Sequence, residues 1–133
     1  MTRFAIDPGT LVEIASGSRP LNPHHQLVAP HSVRSKALNL LLDRVRSGQL
    51  TEDDALGLLE RLTEIKVRLL DDRVSRRSAW EIAQERGWAT VDSAEYLAVA
   101  RLQADPLIAS DRGLAEMAAG VVALAPLSAL FAD

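Results

Sequence analysis

The chain has no cysteine. Disulfides, thiolate zinc sites and cysteine nucleophiles are therefore excluded. It also lacks Asn-Gly and Asp-Gly, the strongest short signals for a β-hairpin. No apolar run approaches the roughly 20 residues that a membrane-spanning helix needs. The opening MTRFAIDPG has no apolar run long enough for a signal peptide. A cytoplasmic location, with no membrane partner, is the expectation. An excess of positive charge is missing too, since the formal net charge is -3. That argues against a bulk electrostatic nucleic-acid binder and leaves room for a local basic groove. Internal repeats, low-complexity segments and composition shifts are absent, so residues 1–133 are expected to form a single domain. A chain of this length buries about two-thirds of its unfolded surface, enough for a core without staples.

What is present alternates. Residues 4–6, FAI, form a short apolar run that ends in Asp7, and Pro8-Gly9 turns into a helix. Residues 16–25 are loop-like, and QLVA at 26–29 predicts a second strand. PHSVRSKALNLLL, residues 30–42, predicts a helix opened by Pro30 and ending near Gly48. Thr51 starts another helix, with Asp54 three residues on as a capping box and Ala55, Leu58, Leu59 and Leu62 on one face. That apolar face suits either a dimer or the core. KVRLL at 66–70 predicts a strand, and residues 73–86 predict a helix stopped by Gly87. A helix follows over 92–103, with Leu97, Ala100 and Ala104 on one side. The chain then runs through a strand at 106–110 ending in Asp111, a short helix over 112–119, and a last strand at 121–124. Short buried strands alternating with helices predict an α/β fold, a three-layer α/β/α sandwich around a central parallel sheet.

In open parallel sheets, ligands gather at the carboxyl ends of the strands. Two strands here end in a carboxylate, Asp7 and Asp111. If both strands are central, these acids meet at one rim. They then suit Mg2+ or Mn2+, which prefer hard oxygen ligands and activate water for phosphodiester hydrolysis. The alternative is that each Asp caps the helix after it.

Lys36 raises a second question. Val33, Ala37 and Leu40 lie at i, i+4 and i+7 on one helical stripe, and Lys36 lies at i+3 of it. A lysine is the residue least expected on an inward face. It either snorkels to water along its stem or pairs internally with Asp7 or Asp111. Asp92 reads as an N-cap, since DSAE puts Glu95 at capping-box spacing. Ser93, on the face of Tyr96, Leu97 and Ala100, is the residue the stripe turns inward.

Other clusters are weaker. His24, His25 and His31 have no partner acid at ligand spacing for zinc. Arg73, Arg76, Arg77 and Arg86 form a basic helix face. It either touches RNA phosphates or is a solvated face paired with Asp71, Asp72 and Glu81. Trp80 and Trp88 flank a helix end and are expected to pack.

Taken together, RFAIDPGTLV, LVAPHSVRSKALNLLL and GWATVDSAEYLAVARLQADPLIASDRGLA resemble, in order, the three characteristic blocks of PIN domains, specifically those of VapC-type toxins. The resemblance covers nearly the whole chain, and AEYLAVARLQADPLIASD is its most specific block. It implies an α/β/α sandwich and an Mg2+- or Mn2+-dependent endoribonuclease acting on RNA. It also implies a homodimer held in check by a small antitoxin protein. The family's first acid falls on Asp7 and its last on Asp111. The glutamate of the second block falls on Lys36, and the aspartate of the third falls on Ser93, with Asp92 one residue earlier as the alternative third acid and metal ligand. The hydroxyl residues usual beside the first and last acids are also changed. Gly9 follows Asp7 by two, with Thr10 next to it, and Ala109 precedes Asp111 by two, with Ser110 between. The four acid positions thus sum to -1. The resemblance therefore carries an incomplete acidic site, with weak or absent metal-dependent RNase activity. The alternative is a non-catalytic binding or dimerisation module in which Lys36 stands in for the cation.

Overall fold

The structure, a computed structural model, describes residues 2–103 and 106–131. Five strands, β1 (Thr2–Ile6), β2 (His25–Pro30), β3 (Arg68–Leu70), β4 (Pro106–Ile108) and β5 (Ala123–Leu124), form one sheet in the order β3-β2-β1-β4-β5. Every neighbouring pair is parallel. Six α-helices connect them: α1 (Pro8–Ser16), α2 (Val33–Arg46), α3 (Glu52–Glu64), α4 (Arg73–Arg86), α5 (Asp92–Gln103) and α6 (Arg112–Ala118). The fold is the expected α/β sandwich around a central parallel sheet. Ala104, assigned above to the face of Leu97 and Ala100, lies outside the described residues.

The strand order decides where a site can form. From β1 the chain steps outward to β2 and β3, then returns past β1 to β4 and β5. Right-handed crossovers place the helices of the two runs on opposite faces. The order reverses between β1 and β4, and at such a switch point the connecting helices diverge and leave a crevice above the carboxyl ends. Both strands are buried along their ends: Ile6 and Leu107 have no exposed surface and Ile108 has 2%. Their continuous apolar character is what a strand covered on both sides requires.

Helix α5 packs against β1, β2 and β4, with α4 beside it. Ala94, Leu97, Ala98, Val99 and Ala100 are all buried. These small side chains let α5 lie close on the sheet. The α1, α2 and α3 group is tied by polar bonds at its ends. Arg61 Nε donates to the Ala15 carbonyl at 2.9 Å, and an Arg34 guanidinium nitrogen donates to the Ile65 carbonyl at 2.8 Å. Thr51 caps α3 as expected, its hydroxyl accepting from the Asp54 N–H at 3.1 Å. The expected apolar face of α3 serves the core: Ala55, Leu58 and Leu62 are buried and Leu59 packs against them.

Several boundaries differ from expectation. Pro30 closes β2 rather than opening α2, because its carbonyl-side neighbour His31 donates its N–H to Leu70 on the adjacent strand, and α2 starts only after Ser32. The last strand shrinks to Ala123–Leu124, since the N–H groups of Val121 and Val122 both turn back to Ala118. A 3-10 turn, Leu127–Leu130, was not expected; it buries Leu130 completely. Trp80 does not pack into the core: it is 59% exposed on α4. The basic face of α4 is a solvated, self-paired one, with Arg76 bonded to Asp71 at 2.9 Å and Arg77 to Glu81 at 3.2 Å. His25 packs edge-on against Phe4, and among the described residues no three His, Asp or Glu side chains are grouped to hold a metal.

Candidate functional site

Asp7 ends β1 and stands at the N-cap of α1, 1% exposed. Its Oδ1 accepts the Thr10 N–H at 2.8 Å and lies 2.6 Å from the Thr10 hydroxyl. The Ser110 hydroxyl reaches the same oxygen at 3.3 Å, and Oδ2 accepts the Asp111 N–H at 3.0 Å. The Thr10 hydroxyl also lies 3.0 Å from the Ile108 carbonyl, so its single proton is shared between two acceptors. One carboxylate thus joins the end of β1, the first turn of α1 and the segment after β4. Pro8 at the first helical position and Thr10 three residues after Asp7 explain the cap locally.

Gly9 belongs to the same arrangement. A Cβ built there would lie 1.9 Å from the Ser110 hydroxyl oxygen. The Ser110 hydroxyl occupies the space that Gly9 leaves beside Asp7. Asp111, exposed, caps α6 through Oδ2, which accepts the Leu114 N–H at 3.1 Å. Both strand-end acids therefore act as caps, and they meet at one rim as expected.

A pocket of about 380 Å3 opens above this rim. Its walls bring together Asp7, Lys36, Asp92, Ser93 and Asp111, residues from four separate segments of the sequence. Lys36 does not pair with Asp7 or Asp111. Its Nζ lies 3.4 Å from Asp92 Oδ1 and 5.8 Å from the centre of the Tyr96 ring. The reason is that Asp7 is already enclosed by four donors, whereas the Asp92 side chain is 65% exposed and free to lean across to α2. Nor does Asp92 cap α5 with Glu95. The Glu95 N–H bonds the Val91 carbonyl at 2.9 Å, which makes Val91 the cap position and Asp92 the first helical residue. Ser93 is half-buried in the pocket wall, as the stripe required.

Sequence reasoning missed Arg44. It lies two turns beyond Lys36 on α2, with Leu40 between them, and all three line the pocket. The spacing of 36, 40 and 44 was available as a signal. Among the described residues Arg44 has no ion-pair partner for its side chain. Tyr96, 3% exposed, also lines the pocket. Burial pushes its hydroxyl far above the ordinary tyrosine value, against a smaller opposing effect from Ser32. The Ser32 hydroxyl stands beside it, yet neither group closes a hydrogen bond. Glu95, half-buried behind the pocket, has its carboxyl raised above 4.5 chiefly by desolvation, with Lys36 opposing and Asp92 and Asp71 adding to the shift.

The fit to a divalent cation follows from these bonds. Oδ1 of Asp7 is saturated, one lone pair remains on Oδ2, and Asp111 offers Oδ1. Asp92 is engaged by an ammonium inside the same pocket. Mg2+ and Mn2+ need several oxygens at near-octahedral positions and are repelled by a fixed cation. The residues present do not assemble such a site.

No protein-family model matches the chain, and no curated relative does. Among solved structures it is similar to the crystal structure of PAE2754 from Pyrobaculum aerophilum, with a TM-score of 0.69 over 98% of this chain and 94% of that one. The two are 22% identical, so this likeness establishes the fold.

Proposed function

We propose that the chain is a PIN-like domain of the VapC type whose pocket is a reduced form of that family's ribonuclease site, used for binding, with weak or absent Mg2+- or Mn2+-dependent cleavage of RNA. The observation that carries this reading is the Lys36–Asp92 contact at 3.4 Å inside the pocket. The protein's own cation sits with the acid nearest to the missing carboxylate's position in the sequence. The switch-point position of the pocket supports its being the ligand site. The saturation of Asp7 Oδ1 supports the loss of metal chemistry. A homodimer and a small antitoxin partner belong to the same proposal through the sequence resemblance.

A second reading is favoured by one fact: Asp7, Asp92 and Asp111 line the same pocket. On that reading the three acids bind the cation when RNA arrives, and cleavage survives. An assay of single-stranded RNA with Mg2+, Mn2+ or chelator separates the two. The parent protein should cleave no faster with Mn2+ than with chelator. Mn2+-dependent cleavage that vanishes in Asp111→Asn would establish the enzyme instead. Asp111 is the better probe because Asp7→Asn also disturbs the fold.

A further inference from the structure

The pocket has the dimensions and the lining of a small-molecule site rather than of a metal centre. Its volume of about 380 Å3 lies in the range that encloses a nucleotide-sized ligand. Tyr96, Leu40, Leu114 and Pro8 supply apolar wall. Two cations from one helix, Lys36 and Arg44, face that wall, and Arg44 has no ion-pair partner among the described residues. Ser93 adds a hydroxyl in the first turn of α5, whose cap position is held by Val91, a residue with no side-chain acceptor. An unpaired guanidinium fits an acceptor-rich ligand better than it fits a cation.

From this arrangement, and resting on the metal-free reading above, we infer that the pocket binds a phosphate monoester directly through Lys36, Arg44 and Ser93, and that the ligand displaces Asp92 from Lys36. Asp92 is an intramolecular occupant of the anion position. Its side chain is 65% exposed, and an exposed ion pair is weak enough to exchange partners. A doubly charged phosphate has more acceptor oxygens and more charge than a carboxylate.

The direction of two mutations separates this from every metal-based account. Removing the Asp92 charge should help a phosphate and hurt a cation, while removing the Lys36 charge should do the opposite. Calorimetry on the full chain with inorganic phosphate, adenosine monophosphate, adenosine and Mn2+ as probes tests it, with circular dichroism confirming that each variant is folded. Binding of the monophosphate but not of adenosine is expected. Asp92→Asn should tighten it several-fold, and Lys36→Ala and Arg44→Ala should each weaken it about tenfold, the scale of one charged hydrogen bond. Inorganic phosphate binding as tightly as the monophosphate overturns the monoester in favour of free phosphate; weaker binding supports it. Absence of phosphate-dependent binding in both the parent and Asp92→Asn overturns the inference and leaves the metal-free reading standing. Mn2+ binding that is strengthened by Lys36→Ala and lost in Asp92→Asn overturns both.

Discussion

Asp7 illustrates how one side chain can be read two ways from sequence and only one way from its bonds. A carboxylate after a strand at the centre of a parallel sheet suits a metal, and it suits a helix cap equally well. The cap was legible because Pro8-Gly9 turns the chain into a helix directly after Asp7. The clamp was not, because Ser110 and Asp111 come from the far end of the chain and no local pattern announces them. Asp7→Ala would leave the N–H groups of Thr10 and Asp111 without their acceptor in a site where Asp7 is 1% exposed. The expected cost is about 2–4 kcal/mol, the sum of a lost cap and a second orphaned donor. Urea unfolding measures it, and the loss should be the same with Mn2+ present as with chelator. Glu95 offers a second test at this scale. Its carboxyl is raised in the folded protein by desolvation, so the fold holds the proton more tightly than the unfolded chain does. The stabilising effect of that proton is complete below the unfolded value near 4.5 and is lost as pH rises through the folded value. Glu95→Gln should therefore gain stability over the parent as pH rises from about 4 to about 7. Parallel unfolding midpoints for the two proteins across that range would show that desolvation is not the cause.

The elements themselves were largely legible, and their ends were not. The alternation of apolar runs with 3.6-residue periodicity located the five strands and six α-helices of the described residues, since each pattern reflects burial of a strand or a stripe. The start of α5 shows why ends are harder. Asp92 and Glu95 have capping-box spacing, yet the helix takes Val91 as its cap position. Thr90 already offers its hydroxyl to the Asp92 N–H at 3.4 Å, and Lys36 draws the Asp92 carboxylate sideways to α2. A tertiary ion pair thus overrides a local signal that is worth little more than the pair. Because Val91 is 40% exposed and supplies no cap, Val91→Ser should stabilise the protein by about 0.5–1 kcal/mol. The midpoint of thermal or urea unfolding reads this directly; a loss of stability would mean that Val91 contributes more by packing than its exposure suggests.

At the scale of the whole molecule, the topology explains why distant residues share one pocket. The reversal of strand order between β1 and β4 makes a crevice whatever side chains line it, so the chain can change the chemistry there while keeping its fold. Positions 36 and 93 are where the resemblance to PIN domains expects acids, and both face the pocket. The sequence marked these positions through helical stripes, but it could not show which carboxylate Lys36 would meet, because that depends on how α2 and α5 lean together. If the scaffold still holds the geometry of a metal centre, restoring the acids should restore the metal. The double change Lys36→Glu with Ser93→Asp removes the internal cation and places two further carboxylates beside Asp92 and Asp111. Without metal, that crowding of like charge should lower stability. With Mn2+, the loss should reverse, because a ligand bound to the folded state alone adds RT ln(1 + [L]/Kd), or about 2.7 kcal/mol at about 100 times Kd. The parent should show no such shift. A thermal unfolding series in Mn2+ measures both proteins at once. A double variant that stays indifferent to Mn2+ would mean that Asp7, its Oδ1 saturated, has been withdrawn from metal chemistry by the Gly9–Ser110 arrangement as well as by Lys36.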